Sequence, residues 1–219
     1  MKAVLLTKHG GLENLRYDSI PTPRPKGDEV LVKVKACALN HLDIWVRMGF
    51  PGANIPLPHI LGCEVAGQVE ALGPHVKTQE FKKGSSVLVA PGIRNGNFEE
   101  YLTQNDSIAP GYQVLGFQRK GGYAEYVSVP AANLIPIPIG GAFTYEKWAA
   151  FPLVFLTAWR MLVTRGEMKP GQTVLIQAAG SGIGQAAIQV AKFLGARIIT
   201  TAGTVAKCRK AAKLGAHET

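Results

Sequence analysis

Apolar and polar positions alternate over the first two thirds of the chain, then switch to a longer period. Val30, Val32 and Val34 alternate with Lys33 and Lys35, which predicts a half-buried strand. Lys2–Thr7, Glu64–Ala71, Ser85–Ala90 and Tyr123–Val129 read as further strands between Pro- and Gly-containing turns, so residues 1–140 are expected to be β-rich. The Pro-rich connector Ile135-Pro136-Ile137-Pro138 leads into a helical stretch from about Thr144 to Arg165. From Pro170-Gly171 the pattern becomes a short apolar strand (Val174–Gln177), a glycine-rich turn and a helix. Ile183, Ala187, Val190, Ala191 and Leu194 recur at helical spacing on that helix. Gly195 stops it, and Arg197–Thr201 is β-branched again. This is a βαβ unit whose glycine turn lies at the strand-to-helix junction, where free N–H groups and the helix dipole can hold a diphosphate.

Composition adds limits. With 47% hydrophobic and 18% charged residues the chain has the make-up of a globular protein with a core, and 25 Gly and 14 Pro agree with a strand-rich part. Three cysteines do not make a disulfide framework, and no signal peptide or membrane span is apparent, so a cytoplasmic protein with no membrane partner is expected. The net charge of +9 favours anionic ligands. The basic residues are scattered, without a run or interleaved aromatics, so the expected anion is a small phosphorylated molecule and not a nucleic acid.

Six segments in order carry a resemblance. They are ACALNHLDIWVRMG (residues 36–49), LGCEVAGQV (61–69), FKKGSSVLV (81–89), GGYAEYVSVP (121–130), FLTAW (155–159) and VLIQAAGSGIGQAA (174–187). Together they make the chain similar to the medium-chain dehydrogenase/reductase superfamily, and within it to the zinc-free quinone oxidoreductase branch. The fold class this implies is α/β plus β: a chaperonin-10-like β-rich catalytic domain over residues 1–143, then an incomplete, doubly wound Rossmann domain over 144–219. The boundary is expected between Gly141 and Pro170.

The resemblance also implies an absence of zinc. The family's structural-zinc cysteines correspond to Asn95, Phe98, Tyr101 and Ala109, none a thiolate. Its catalytic zinc ligands correspond to Asn40, Cys63 and Leu153, and Leu42 replaces a proton-passing hydroxyl residue. One soft ligand does not make a site. His41 and His59 read as structural or surface imidazoles. What persists is Asn40-x-x-Asp43, followed by Arg47 and Gly49, together with Leu61-Gly62-x-Glu64. Asn40, Asp43 and Glu64 are therefore the expected catalytic residues. The alternative is that Asp43 and Glu64 merely pair with Arg47 or with backbone N–H groups.

Against the GxGxxG fingerprint the three positions fall at Ala179, Ser181 and Gly184, with Gly180 and Gly182 between them. Gly180, Ser181, Gly182, Ile183 and Gly184 are the expected diphosphate-binding residues, and the resemblance adds Thr157 near the nicotinamide. The ribose-binding carboxylate of NAD enzymes corresponds to Ala202. With Thr204 and Lys207 beyond it, NADPH is the expected cofactor, although Lys207 also reads as an ordinary solvated helix residue. The implied reaction is zinc-free hydride transfer to a quinone or other conjugated carbonyl, by a homo-oligomer when full length. Because the chain stops soon after its second Rossmann strand, a partner-completed or non-catalytic nucleotide- or RNA-binding protein is the competing expectation.

Overall fold

The structure, a computed structural model, describes residues 1–94 and 106–219. It divides into two compact units, Met1–Pro152 and Leu153–Thr219.

The first unit is built on a five-stranded antiparallel sheet. Its strands are β3 (Glu29–Ala38), β5 (Glu64–Leu72), β6 (Ser86–Val89), β9 (Tyr126–Pro130) and β10 (Leu134–Pro136), in the order β10-β6-β5-β3-β9. Val30, Val32, Val65, Val69, Val87, Val89, Val127 and Val129 turn inward together with Phe81, Ile93, Leu115 and Leu134. β-Branched side chains suit these pleated positions, and each fully buried valine contributes roughly 1.5–3 kcal/mol of transfer free energy. The expected alternation does not run through the whole of β3. A register shift lies between Val34 and Ala36 where the strand pairs with β5. It moves the inward set from Val30, Val32 and Val34 to Cys37, while Ala36 and Ala38 face a separate cluster around Ala66 and Leu88. Gly67 sits at this irregularity, where an added Cβ would lie 2.3 Å from the Lys33 carbonyl oxygen. A second sheet pairs β1 (Lys2–Leu6) with β2 (Leu15–Ser19) and β4 (His59–Ile60). Its Leu6 packs with Val46 of α1 (His41–Met48), Ile55 and Leu61.

Three expectations change here. Leu134–Pro136 is an edge strand against Val87–Val89, not a connector. Asn133 anchors it by donating Nδ2 to the carbonyls of Ala90 and Gly92, and an edge position tolerates the proline. The strand expected over Tyr123–Val129 begins only at Tyr126. Gly121, Gly122 and Tyr123 bond instead to the carbonyls of Ile60, Gly62 and Leu61, and Val4 donates to Tyr123. The helical stretch is broken into α2 (Tyr145–Ala149), α3 (Pro152–Trp159) and a wider π turn (Arg160–Arg165). Thr144 caps α2, and Pro152 opens a fresh helix because a first-turn residue needs no N–H.

In the second unit β11 (Thr173–Ile176) and β12 (Arg197–Thr200) pair in parallel, with Val174 opposite Ile198. α4 (Gly182–Phe193) connects them and α5 (Val205–Leu214) follows. The core is alanine-rich: Ala179, Ala186, Ala187, Ala191, Ala196 and Ala211 surround Ile176, Ile188 and Ile198. Ala187, Val190 and Ala191 of the expected α4 face are buried, but its first turn differs. Ile183 is 39% exposed, and the buried stripe runs through Gly184, Ala187, Ile188 and Ala191. Among the described residues no helix is long and apolar enough to cross a membrane.

Candidate active site

In the first unit, Asn40, Asp43 and Glu64 come together where β3 turns into α1 and where the chain enters β5. Asn40 is the extended N-cap of α1, and its N–H donates to Asp43 Oδ2 at 2.8 Å. The carboxylate of Asp43, 7% exposed, also accepts from the Gly62 N–H (3.1 Å, on Oδ1) and from the Tyr123 hydroxyl (2.7 Å, on Oδ2). Asp43 thus ties the start of α1 to the turn before β5 and to the segment before β9. Asn40 Nδ2 donates to Glu64 Oε2 at 2.8 Å, and Glu64 is 2% exposed. That bond uses one of the two amide hydrogens of Asn40. Arg47 pairs with neither carboxylate; it donates to the Gly10 carbonyl.

The surrounding groups are neutral. Burial, reinforced by the Asp43 charge, pushes the Cys37 thiol up to about 12 and raises the Cys63 thiol as well. Tyr123 is raised by burial and by its bond to Asp43, so its hydroxyl is a fixed donor near neutrality. In the sequence Tyr123 carries no signal beyond its place in GGYAEYVSVP, and the loop pairing brings it to the site. Gly62 has φ +95°, and an added Cβ would meet Tyr123 Cδ1 at 2.5 Å and Cys37 Sγ at 2.8 Å. The glycine lets the tyrosine ring cross the turn and reach Asp43.

Cys63 is fully buried, and Leu42 packs beside Val46 and Leu61. His41 is exposed and meets Trp45 edge-on at 4.9 Å, whereas His59 is 2% exposed and its Nε2 has no partner among the described residues. Among the described residues no group of three or more His, Cys, Asp or Glu could hold a metal ion. Ala109 is buried; Asn95, Phe98 and Tyr101 lie outside the described residues.

The second unit carries the glycine turn. Ala178, at φ +55°, reverses the chain, and its carbonyl accepts from the Ser181 N–H. A left-handed alanine costs roughly 1–2 kcal/mol and is held here by its surroundings. Ser181 caps α4 by accepting from Gly184 N–H at 3.0 Å. The N–H groups of Gly180, Gly182 and Ile183 find no protein acceptor among the described residues. An added Cβ on Gly184 would lie 2.4 Å from the Ala178 carbonyl oxygen, so α4 approaches β11 only because that residue is glycine. Lys207 lies over the turn: its Cδ would be 2.7 Å from a Cβ built on Gly180. Thr204 caps α5 by accepting from the Lys207 N–H, Ala202 is half-buried against the core, and Thr157 is half-buried on α3. Small residues, free N–H groups at a helix N-terminus and a nearby lysine fit a diphosphate-containing nucleotide.

A β-rich unit with this polar cluster, followed by the opening of a dinucleotide-binding fold, defines the medium-chain dehydrogenase/reductase class. Residues 26–139 match the alcohol dehydrogenase GroES-like domain, and the chain belongs to this superfamily, among its quinone oxidoreductase-like members. Over all 219 residues it is 32% identical to the human quinone oxidoreductase, of which it spans 57%. Among solved structures it is similar to an NAD-dependent alcohol dehydrogenase, with 48% identity and a TM-score of 0.94 over 100% of this chain and 63% of that one. It is also similar to a mycobacterial protein solved with NADPH, with 31% identity and a TM-score of 0.80 over 100% of this chain and 58% of that one.

Proposed function

We propose that this chain is part of an NADPH-dependent oxidoreductase that reduces a quinone or another conjugated carbonyl without zinc. The observation that carries the reading is the set of side chains at Asn40, Asp43 and Glu64. An amide donor stands among neutral thiols and hydrogen-bonded carboxylates, where metal ligands would be needed to polarise an isolated carbonyl. A conjugated acceptor spreads incoming negative charge over several atoms, and hydrogen bonds suffice to stabilise it. The remaining amide hydrogen of Asn40 donates to the developing oxyanion, while Glu64 fixes the plane of that amide. Burial keeps Cys37, Cys63 and Tyr123 protonated near neutrality.

NADPH, when bound, supplies the hydride. Gly180, Ser181, Gly182, Ile183 and Gly184 would hold its diphosphate, Thr157 would face its nicotinamide, and Thr204 and Lys207 would receive the 2′-phosphate. Ala202 offers no carboxylate to repel that phosphate. The alternative, NADH, is favoured by the name of the 48% identical relative. Titration of the full-length protein with both cofactors separates the two. NADPH is expected to bind more tightly, and Ala202→Asp to weaken NADPH more than NADH. Equal binding, or a native preference for NADH, refutes the assignment. Asn40→Ala is expected to slow quinone reduction by roughly a hundredfold, the usual effect of removing one oxyanion donor. Unchanged turnover in that variant refutes the role given to Asn40. The protein is further proposed to be cytoplasmic and, at full length, a homo-oligomer.

A further inference from the structure

We propose that Tyr123 is the positioning residue of this site, acting through Asp43 to set the Asn40 amide; the inference rests on the role assigned above to Asn40. The path is continuous. The hydroxyl of Tyr123 and the N–H of Asn40 share one oxygen of Asp43, at 2.7 and 2.8 Å, and the other oxygen takes the Gly62 N–H. Asn40 then places its side chain against Glu64. Tyr123 is itself fixed at both ends of its peptide unit, donating its N–H to Leu61 and accepting from Val4. Its ring lies over Gly62, a residue whose Cβ the ring would not admit, and against the cluster of Leu6, Val46, Ile55 and Leu61. It therefore reaches Asp43 from a rigid base and supplies a donor that does not ionise near neutrality. Without that donor the Asp43 carboxylate keeps one backbone N–H on each oxygen, but Oδ2 loses its tie to the Tyr123 segment, and the N-cap it fixes loosens with it. The hydroxyl of Tyr123 bonds to Asp43 and reaches Asn40 through it, so it positions the amide and does not react.

The test uses the full-length protein with NADPH and 1,4-naphthoquinone, comparing wild type, Tyr123→Phe, Asn40→Ala and the double variant. Phenylalanine keeps the ring packing and removes only the hydroxyl. Tyr123→Phe is expected to lower kcat roughly tenfold, as loss of an outer partner of a functional group commonly does. KM for NADPH should stay within about twofold, since that cofactor is assigned to the second unit. In the Asn40→Ala background the same change should cost little more, because its effect passes through Asn40. A second readout needs no activity: the side-chain amide resonances of Asn40, with the protein free of substrate, should shift in Tyr123→Phe. Additive losses in the double variant, or unmoved Asn40 resonances, overturn the positioning role. If Asn40→Ala leaves turnover intact while Tyr123→Phe moves the resonances, the positioning stands and the oxyanion reading falls.

Discussion

Replacing Gly62 by alanine tests the geometry on which the whole site depends. The residue has φ +95°, so an L side chain there costs roughly 1–2 kcal/mol in backbone strain. The new Cβ would also lie 2.5 and 2.8 Å from Tyr123 Cδ1 and Cε1, and 2.8 Å from Cys37 Sγ. Ordinary contact is about 3.5–4.0 Å, so the ring must retreat by about 1 Å or more. Its hydroxyl, 2.7 Å from Asp43, would then leave hydrogen-bond range. A bond to a charged acceptor contributes about 1.5–3 kcal/mol, which brings the total loss to about 2.5–5 kcal/mol. Gly84 is the control. At φ +87° it carries the same kind of strain, but an added Cβ would meet no heavy atom within 4 Å. Gly84→Ala should therefore cost only the strain, about 1–2 kcal/mol. Urea unfolding followed by tryptophan fluorescence reads the difference of about 1.5–3 kcal/mol as a midpoint about 1 M lower in urea for Gly62→Ala. Equal midpoints for the two variants would refute the argument. So would full additivity of Gly62→Ala with Tyr123→Phe, since both act through one hydrogen bond.

Other outcomes follow from single features. Gly184→Ala places its Cβ 2.4 Å from the backbone oxygen of Ala178, which no rotamer relieves, so NADPH affinity should fall at least about tenfold by titration. Ser181→Ala removes the cap of α4 and should cost about 1 kcal/mol in urea unfolding. The folded-state pKa of Cys37 is raised from an ordinary 9.0 to about 12, so its contribution to stability is complete below pH 9 and lost as pH rises towards 12. Cys37→Ala should flatten the alkaline decline of the unfolding midpoint over that window, and an unchanged pH profile refutes the point. A chromogenic disulfide should label Cys208 before Cys37 and Cys63, the two whose thiols are raised by burial. Metal analysis of protein purified without added zinc should give well below one equivalent; a stoichiometric, chelation-resistant zinc overturns the donor-set argument at Asn40, Cys63 and Leu153.

The local pattern determined whatever depends on neighbours in sequence. Alternating valines placed β3, and the apolar runs placed β5, β6, β11 and β12, because a strand exposes its two-residue period directly. The glycine turn was legible for a related reason: a strand, small residues and a helix at that spacing leave few other geometries open. On α4 the helical period places Ala187, Val190 and Ala191 in the core but misses the first turn. Hydrophobicity pointed to Ile183, whereas close packing of helix on strand chose Gly184, whose value lies in having no side chain. Only the tertiary structure decided the partners of Asp43. Tyr123 is 80 residues away in sequence, and no period in the chain links the two. What joins them is the pairing of residues 121–123 with 60–62, together with a glycine at φ +95° that clears the path of the ring. Leu134–Pro136 became a strand for the same kind of reason, since an edge of β6 stood open to pair with it. Sequence fixes local conformation through steric preference and period; long-range backbone pairing then selects which side chains share a buried carboxylate.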